Sequence, residues 1–148
     1  MKKLILLILL VSCSATRILV SFDEPIVKTY KVDVSQDDLF INANRWMISI
    51  FRDARSVIQF SDKDAGILIG KYLLHHFDSF LNYYAEIYAI IEINVKDGKG
   101  LISIKPDNWD YLKANYSSDL YDKEKALSDI NALCEDFNKN LQSVNINF

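Results

Sequence analysis

The residues that could do chemistry in this chain are few, and their spacing decides most cases. His75 and His76 are its only histidines. Neighbours on a strand point to opposite faces, so the pair cannot close on one metal ion as histidines at helical i, i+4 spacing do. Both read as surface or loop side chains. Of the two cysteines, Cys134 falls on the apolar stripe of a helix with no histidine or helix start to lower its pKa, and it reads as a small core residue rather than a nucleophile. Asp62-Lys63-Asp64-Ala65-Gly66 is similar to the opening of a calcium loop, but Gly66 stands at the third ligand position and Leu73 where a bidentate Glu is required. A solvated hairpin turn accounts for it better. Glu86 and Glu92 lie on one strand roughly 20 Å apart, beyond the about 5–10 Å over which paired carboxylates cleave glycosides. No catalytic residue, metal site or cofactor site emerges, and the expectation is a protein that is not an enzyme.

Cys13 is the exception. Met1-Lys2-Lys3 is a cationic start, and residues 4–11 are eight apolar side chains in a row, too few to cross a bilayer core, which takes about 20. The run ends in Leu10-Val11-Ser12-Cys13, which resembles the lipobox of bacterial lipoproteins. The resemblance implies that residues 1–12 are a signal peptide and that the Cys13 sulfur accepts a diacylglycerol before cleavage, leaving Cys13 as the mature N-terminus. Ser14 follows where Asp would imply retention in the inner membrane, so the protein is expected to be exported and lipid-anchored in the outer membrane, facing the periplasm. Removing twelve of the 148 residues leaves 136, and the loss of Lys2 and Lys3 takes the net charge from −3 to −5. Cys134 would then be the one thiol left, so no internal disulfide can form. Residues 13–24 read as a lipidated tether reaching roughly 18 Å, with residues 18–22 an alternative edge strand.

Those residues need a scaffold, and hydrophobic period supplies one over residues 25–148. Residues 26–34 alternate, with Tyr30, Val32 and Val34 on one face. Ser35 and Asp38 form a capping pair that starts a helix running to about Asp53. Its stripe is Leu39, Ala43, Trp46 and Ile50 beside Phe40, Met47 and Phe51, with Asn42, Arg45, Ser49 and Arg52 facing away. Residues 57–60 and 67–74 read as strands joined by a five-residue loop, with a looser loop to Tyr83. Residues 85–96 are the clearest strand, about 40 Å long and central. Ala85, Ile87, Ala89, Ile91, Ile93 and Val95 share one face, and Glu86, Tyr88, Ile90, Glu92, Asn94 and Lys96 the other. Asp97-Gly98 turns into a last strand that Pro106 stops. Trp109, Tyr111 and Tyr116 cover one end of the core. A final helix from near Asp119 buries Leu127, Ile130, Cys134, Phe137 and Leu141. The order β-α-β-β-β-β-α predicts an α+β two-layer sandwich, a curved antiparallel sheet of about five strands with two helices on one face.

The Trp46 helix, the block Val57-Ile58-Gln59-Phe60-Ser61-Asp62-Lys63-Asp64-Ala65-Gly66-Ile67-Leu68-Ile69-Gly70-Lys71 and the block Val95-Lys96-Asp97-Gly98-Lys99 resemble an uncharacterised lipoprotein domain family of Bacteroidota. The resemblance spans about residues 25–141 and departs at Gly100, where an aromatic or basic residue is expected. It implies a TATA-binding-protein-like fold and carries no activity. Such a fold invites a nucleic-acid reading, but phosphate contacts need Lys and Arg, and the long strand offers Glu86 and Glu92 against Lys96. No nucleic acid is expected. The chain reads as a non-enzymatic envelope lipoprotein, a binding or scaffolding module that takes an envelope protein or a small ligand on its open sheet face through Tyr72, Glu86, Tyr88, Ile90 and Glu92. A face covered by the tether, by the loop from Leu74 to Tyr83 or by a second copy stays open as an alternative, as does a hydrolase with a loop-built site.

Overall fold

In the computed structural model, residues 22–52, 56–78, 84–107, 109 and 121–142 are described. Alternation from Ile26 gives β1 (Ile26–Lys31), shorter than the predicted strand. Ser35 caps α1 (Gln36–Ile50), its hydroxyl accepting the Asp38 amide while Asp37 and Asp38 sit at the positive helix end. The helix stops at Ile50 rather than near Asp53, where the Phe51 amide closes on the Met47 carbonyl.

A hairpin joins β2 (Val57–Asp62) to β3 (Ile67–Asp78) through a four-residue turn over Lys63, Asp64, Ala65 and Gly66. Asp62 Oδ1 accepts the Ala65 amide at 2.9 Å and Gly66 takes φ +70°, so this segment is a turn by construction. β4 (Tyr84–Lys96) turns over Asp97-Gly98 into β5 (Lys99–Pro106). The last helix, α2 (Lys123–Leu141), begins four residues past the predicted start because Asp122 caps it, accepting the Lys125 amide at 2.8 Å.

The five strands form one antiparallel sheet in the order β1-β5-β4-β3-β2. Every second residue of β4 from Ile87 to Val95 is at most 2% exposed, and both helices pack on that face. Trp46 of α1 meets Phe137 of α2 at 5.1 Å and donates its indole N–H to Asp136 at 2.7 Å. The expected α+β arrangement, with two helices on one side of a five-stranded sheet, is the one observed.

Four local readings change. Asn42 is 6% exposed rather than outward, because α1 has two neighbours, the sheet and α2, and so buries a wider arc than one stripe. Gly100 keeps β5 regular and makes room for a helix: a Cβ there would lie 2.4 Å from Leu141 Cδ1. β3 continues past Leu74 to Asp78 through a bulge between Leu73 and His75. The folded body also reaches back beyond the boundary read at Pro25. Phe22 is 7% exposed and packs edge-on to Trp109 at 4.9 Å, and an aromatic ring with such a partner does not stay in a tether.

Candidate functional site

The sheet face opposite the helices is built by the second set of alternating residues. Glu86, Tyr88, Ile90, Glu92, Asn94 and Lys96 of β4 all fall on it, as the alternation requires. Strand register sets their neighbours. Leu73 pairs with Tyr88, Lys71 with Ile90 and Ile69 with Glu92 on one side, while Lys105 and Ser103 lie opposite Ile90 and Glu92 on the other. Toward the rims the face carries Val57 and Phe60 from β2 and Val27 from β1, each about half exposed.

Polar groups on this face are tied to one another. The Lys71 ammonium lies 4.3 Å from the centre of the Tyr88 ring and 3.6 Å from Asp107 Oδ2. Tyr88 donates its hydroxyl to Glu86, and the other Glu86 oxygen is 3.9 Å from His76 Nδ1. The Asp107 amide closes on the Tyr88 carbonyl at 2.8 Å. Beside this network lies a concavity of about 410 Å³ lined by Pro25, Ile90, Glu92, Ser103, Lys105 and Asp107. Lys105 Nζ donates to the Asp23 carbonyl at 3.0 Å and closes one rim. Apolar side chains at both rims, with fixed charges and a hollow of mixed polar and apolar lining between them, suit recognition of a molecular surface.

Tyr72 does not belong to this face. It pairs with Ala89, on the helix side, and stacks on Phe51 at 5.9 Å. The alternation that starts at the buried Leu68 puts Leu68, Gly70 and Tyr72 toward the helices, and Lys71 and Leu73 toward the open side.

On the helix side a groove of about 370 Å³ runs between β3 and α2, lined by Tyr72, Leu74, Asp129, Leu133 and Asp136. The bulge in β3 turns both Leu74 and His75 this way. The His75 ring lies flat on Tyr121, with centroids 4.1 Å apart, so His75 is half-buried rather than a free surface or loop side chain; partial burial holds it below the usual imidazole range. The Tyr121 hydroxyl donates to Asp129 at 3.1 Å, and burial followed by that carboxylate pushes it far up. Lys125 also pairs with Asp129, and Asp136 accepts from Trp46. These carboxylates thus serve the packing of α1, α2 and β3. Sequence reasoning missed them because a stacked ring and an indole donor are long-range pairs that leave no local pattern.

Cys134 is 0% exposed and burial pushes its thiol up to about 11, the core behaviour read from its helical position. Among the described residues no group of three or more His, Cys, Asp or Glu could hold a metal ion, and no helix is long and apolar enough to cross a membrane. Cys13 and the signal segment lie outside the described residues.

Comparison with known proteins agrees with the fold. The model of a family described as a domain of unknown function (DUF4468) with TBP-like fold matches residues 31–105. A solved DUF4468 family protein from Bacteroides ovatus ATCC 8483 is similar at a TM-score of 0.52 and 14% identity, over 84% of this chain and 89% of that one. A TBP-like protein from Parabacteroides distasonis ATCC 8503 is similar at 0.56 and 16%, over 81% of this chain and 93% of that one. At such identities the likeness shows the fold alone. No curated protein matches the chain.

Proposed function

Since this chain belongs to the DUF4468 family, domains of unknown function with a TBP-like fold, we propose that it is a non-enzymatic binding module of the cell envelope. It is anchored through a lipid on Cys13 in the outer membrane and docks an envelope protein on the open face of its sheet. The observation that carries the reading is the composition of that face. Among the described residues both helices pack on the other side, while Val27, Val57 and Phe60 stand half exposed here around the Lys71-Tyr88-Glu86 network and the hollow beside Ile90. Apolar side chains on a sheet face that neither helix covers favour a partner over bare water. Lys71 and Lys105 are offset by Glu86, Glu92 and Asp107, a balance that suits a protein partner and gives no phosphate track for nucleic acid.

Two experiments test the two halves. Metabolic labelling with a palmitate analogue is expected to mark the wild type and not Cys13→Ala, since that sulfur is the acceptor; an unlabelled wild type overturns the anchor. A photo-crosslinking side chain at position 90 in intact cells is expected to trap a discrete adduct that the same probe at position 48, on the outer side of α1, does not. Equal capture from both positions overturns the docking face.

A further inference from the structure

Charge is not spread evenly along the open face. Near its middle each cation has a counterpart: Lys71 lies 3.6 Å from Asp107 Oδ2, and Lys105 donates to the Asp23 carbonyl. The end at the Asp97-Gly98 turn is different. Lys31 pairs with Lys99 across β1 and β5, and Lys99 pairs with Lys96 across β5 and β4. Residues directly opposite share a face, and Lys96 belongs to the open one, so the three lysines stand in one row on it, about 10 Å from end to end at the spacing of strands. All three are exposed, and among the described residues none has an ion pair. Three carboxylates at this end are used elsewhere: Asp97 accepts the Gln36 amide at 2.7 Å, Asp62 accepts the Ala65 amide at 2.9 Å, and Asp37 pairs with Lys63.

Like charges directly opposite one another cost a sheet stability. A row of them that the described fold leaves unneutralised, on a face that docks a partner, favours a partner with negative charge at that place. Register also fixes what lies beside the row. Asn94, two residues back along β4 from Lys96, pairs with Ile67 and Leu101, and Glu92 pairs with Ile69, so the lysines border half-buried apolar side chains on the same face. Carboxylates set among apolar side chains match that order. A second copy of this chain matches it less well, because its own carboxylates on the face are engaged: Glu86 accepts the Tyr88 hydroxyl and Asp107 holds the Lys71 ammonium. An anionic bilayer met end-on would face Asp33, Asp62, Asp64 and Asp97 of the adjoining turns along with the lysines, which cancels the attraction.

Resting on the docking reading above, we propose that the partner is acidic where it crosses this end of the face: it lays a protein segment in which Asp and Glu side chains neighbour apolar ones over Lys31, Lys99 and Lys96. The lysine row then sets the direction in which the partner lies along the strands.

A photo-crosslinking side chain at position 94 of the full chain in intact cells, with mass spectrometry of what it captures, tests this. The captured peptide is expected to come from another protein and to carry Asp and Glu in excess of Lys and Arg. Lys99→Glu turns the row into alternating charges and takes it from +3 to +1, so the melting temperature of the purified protein is expected to rise by roughly 3 °C. The yield of the adduct is expected to fall at least about tenfold in the same variant, and to be kept in Lys99→Arg. An unchanged yield in Lys99→Glu overturns the proposal. So does a captured peptide without an acidic excess, a peptide of this chain itself, or a lipid. With an adduct still formed at position 90, these outcomes remove the acidic segment alone, whereas no adduct at either position removes the docking face and the proposal with it.

Discussion

Substituting Asp at Ile91 and, separately, at Tyr88 asks whether the two faces of β4 differ as described. Ile91 is 0% exposed and lies between Gly70 and Ile104 in the sheet. Removing it forfeits about 1.5–3 kcal/mol of burial, and a carboxylate left there without a partner costs several kcal/mol more. Together these reach at least about 5 kcal/mol, the lower end of the whole stability of a domain, so Ile91→Asp is expected to be unfolded at room temperature. Tyr88→Asp gives up the contact with the Lys71 ammonium at 4.3 Å, about 0.5–1 kcal/mol. It also gives up the hydrogen bond to Glu86, about 1 kcal/mol. The new carboxylate beside Lys71 returns part of this, so the net loss is about 1–2 kcal/mol and the melting temperature falls by roughly 5 °C. Circular dichroism melts of both variants give the comparison. A tolerated Ile91→Asp would mean that the register is slipped by one residue and the faces exchanged. A Tyr88→Asp as damaging as Ile91→Asp would mean that the open face is packed against something and is no docking surface.

Gly66→Ala is expected to cost at least about 2 kcal/mol, because φ is +70° and a Cβ would meet the Val95 carbonyl oxygen at 2.3 Å. Gly98→Ala, with a similar φ but nothing nearer than 3.5 Å, is expected to cost about half that, and equal urea midpoints would refute the steric part. Burial places the folded-state pKa of His75 below its unfolded value, so the unfolded chain binds the proton first as pH falls through about 6.5 and stability drops until the folded pKa is passed. His75→Phe is expected to flatten that stretch of the stability-against-pH curve, and an unchanged slope would remove His75 as its source. Cys134→Ala is expected to lose about 1 kcal/mol, and the native thiol to resist maleimide; rapid labelling would contradict its burial.

Local pattern carried most of the architecture. Ala85 to Lys96 alternates over its whole length, Asp97-Gly98 marks one turn, and Ser35 with Asp38 marks a helix start, so strand, hairpin and cap can each be read from neighbours in sequence. Errors gather where neighbours do not decide. The bulge after Leu73 shifts the period by one and turns Leu74 and His75 to the same side, which no strict alternation foresees. Tyr72 needed the phase of β3, set by Leu68 under the helices, before its side could be assigned. Asn42 is buried because α2 packs against α1, and the Trp46 to Asp136 hydrogen bond spans 90 positions in the chain. For the candidate site, Glu86, Tyr88, Ile90 and Glu92 were legible from β4 alone. Their surroundings on β3 and β5 came only from the register, because pairing partners are a tertiary property.

Accessibility of the open face in place and in isolation bears most directly on the docking proposal. Ile90→Cys puts a thiol beside the hollow on that face, and Cys134 supplies a buried internal control in the same chain. Maleimide labelling is expected to be fast at position 90 in the purified protein and at least tenfold slower in intact envelopes, where the partner sits, with Cys134 unreactive in both. Equal, fast labelling at position 90 in both settings would contradict a docked partner, and slow labelling in the purified protein would show that the face is closed by the chain itself.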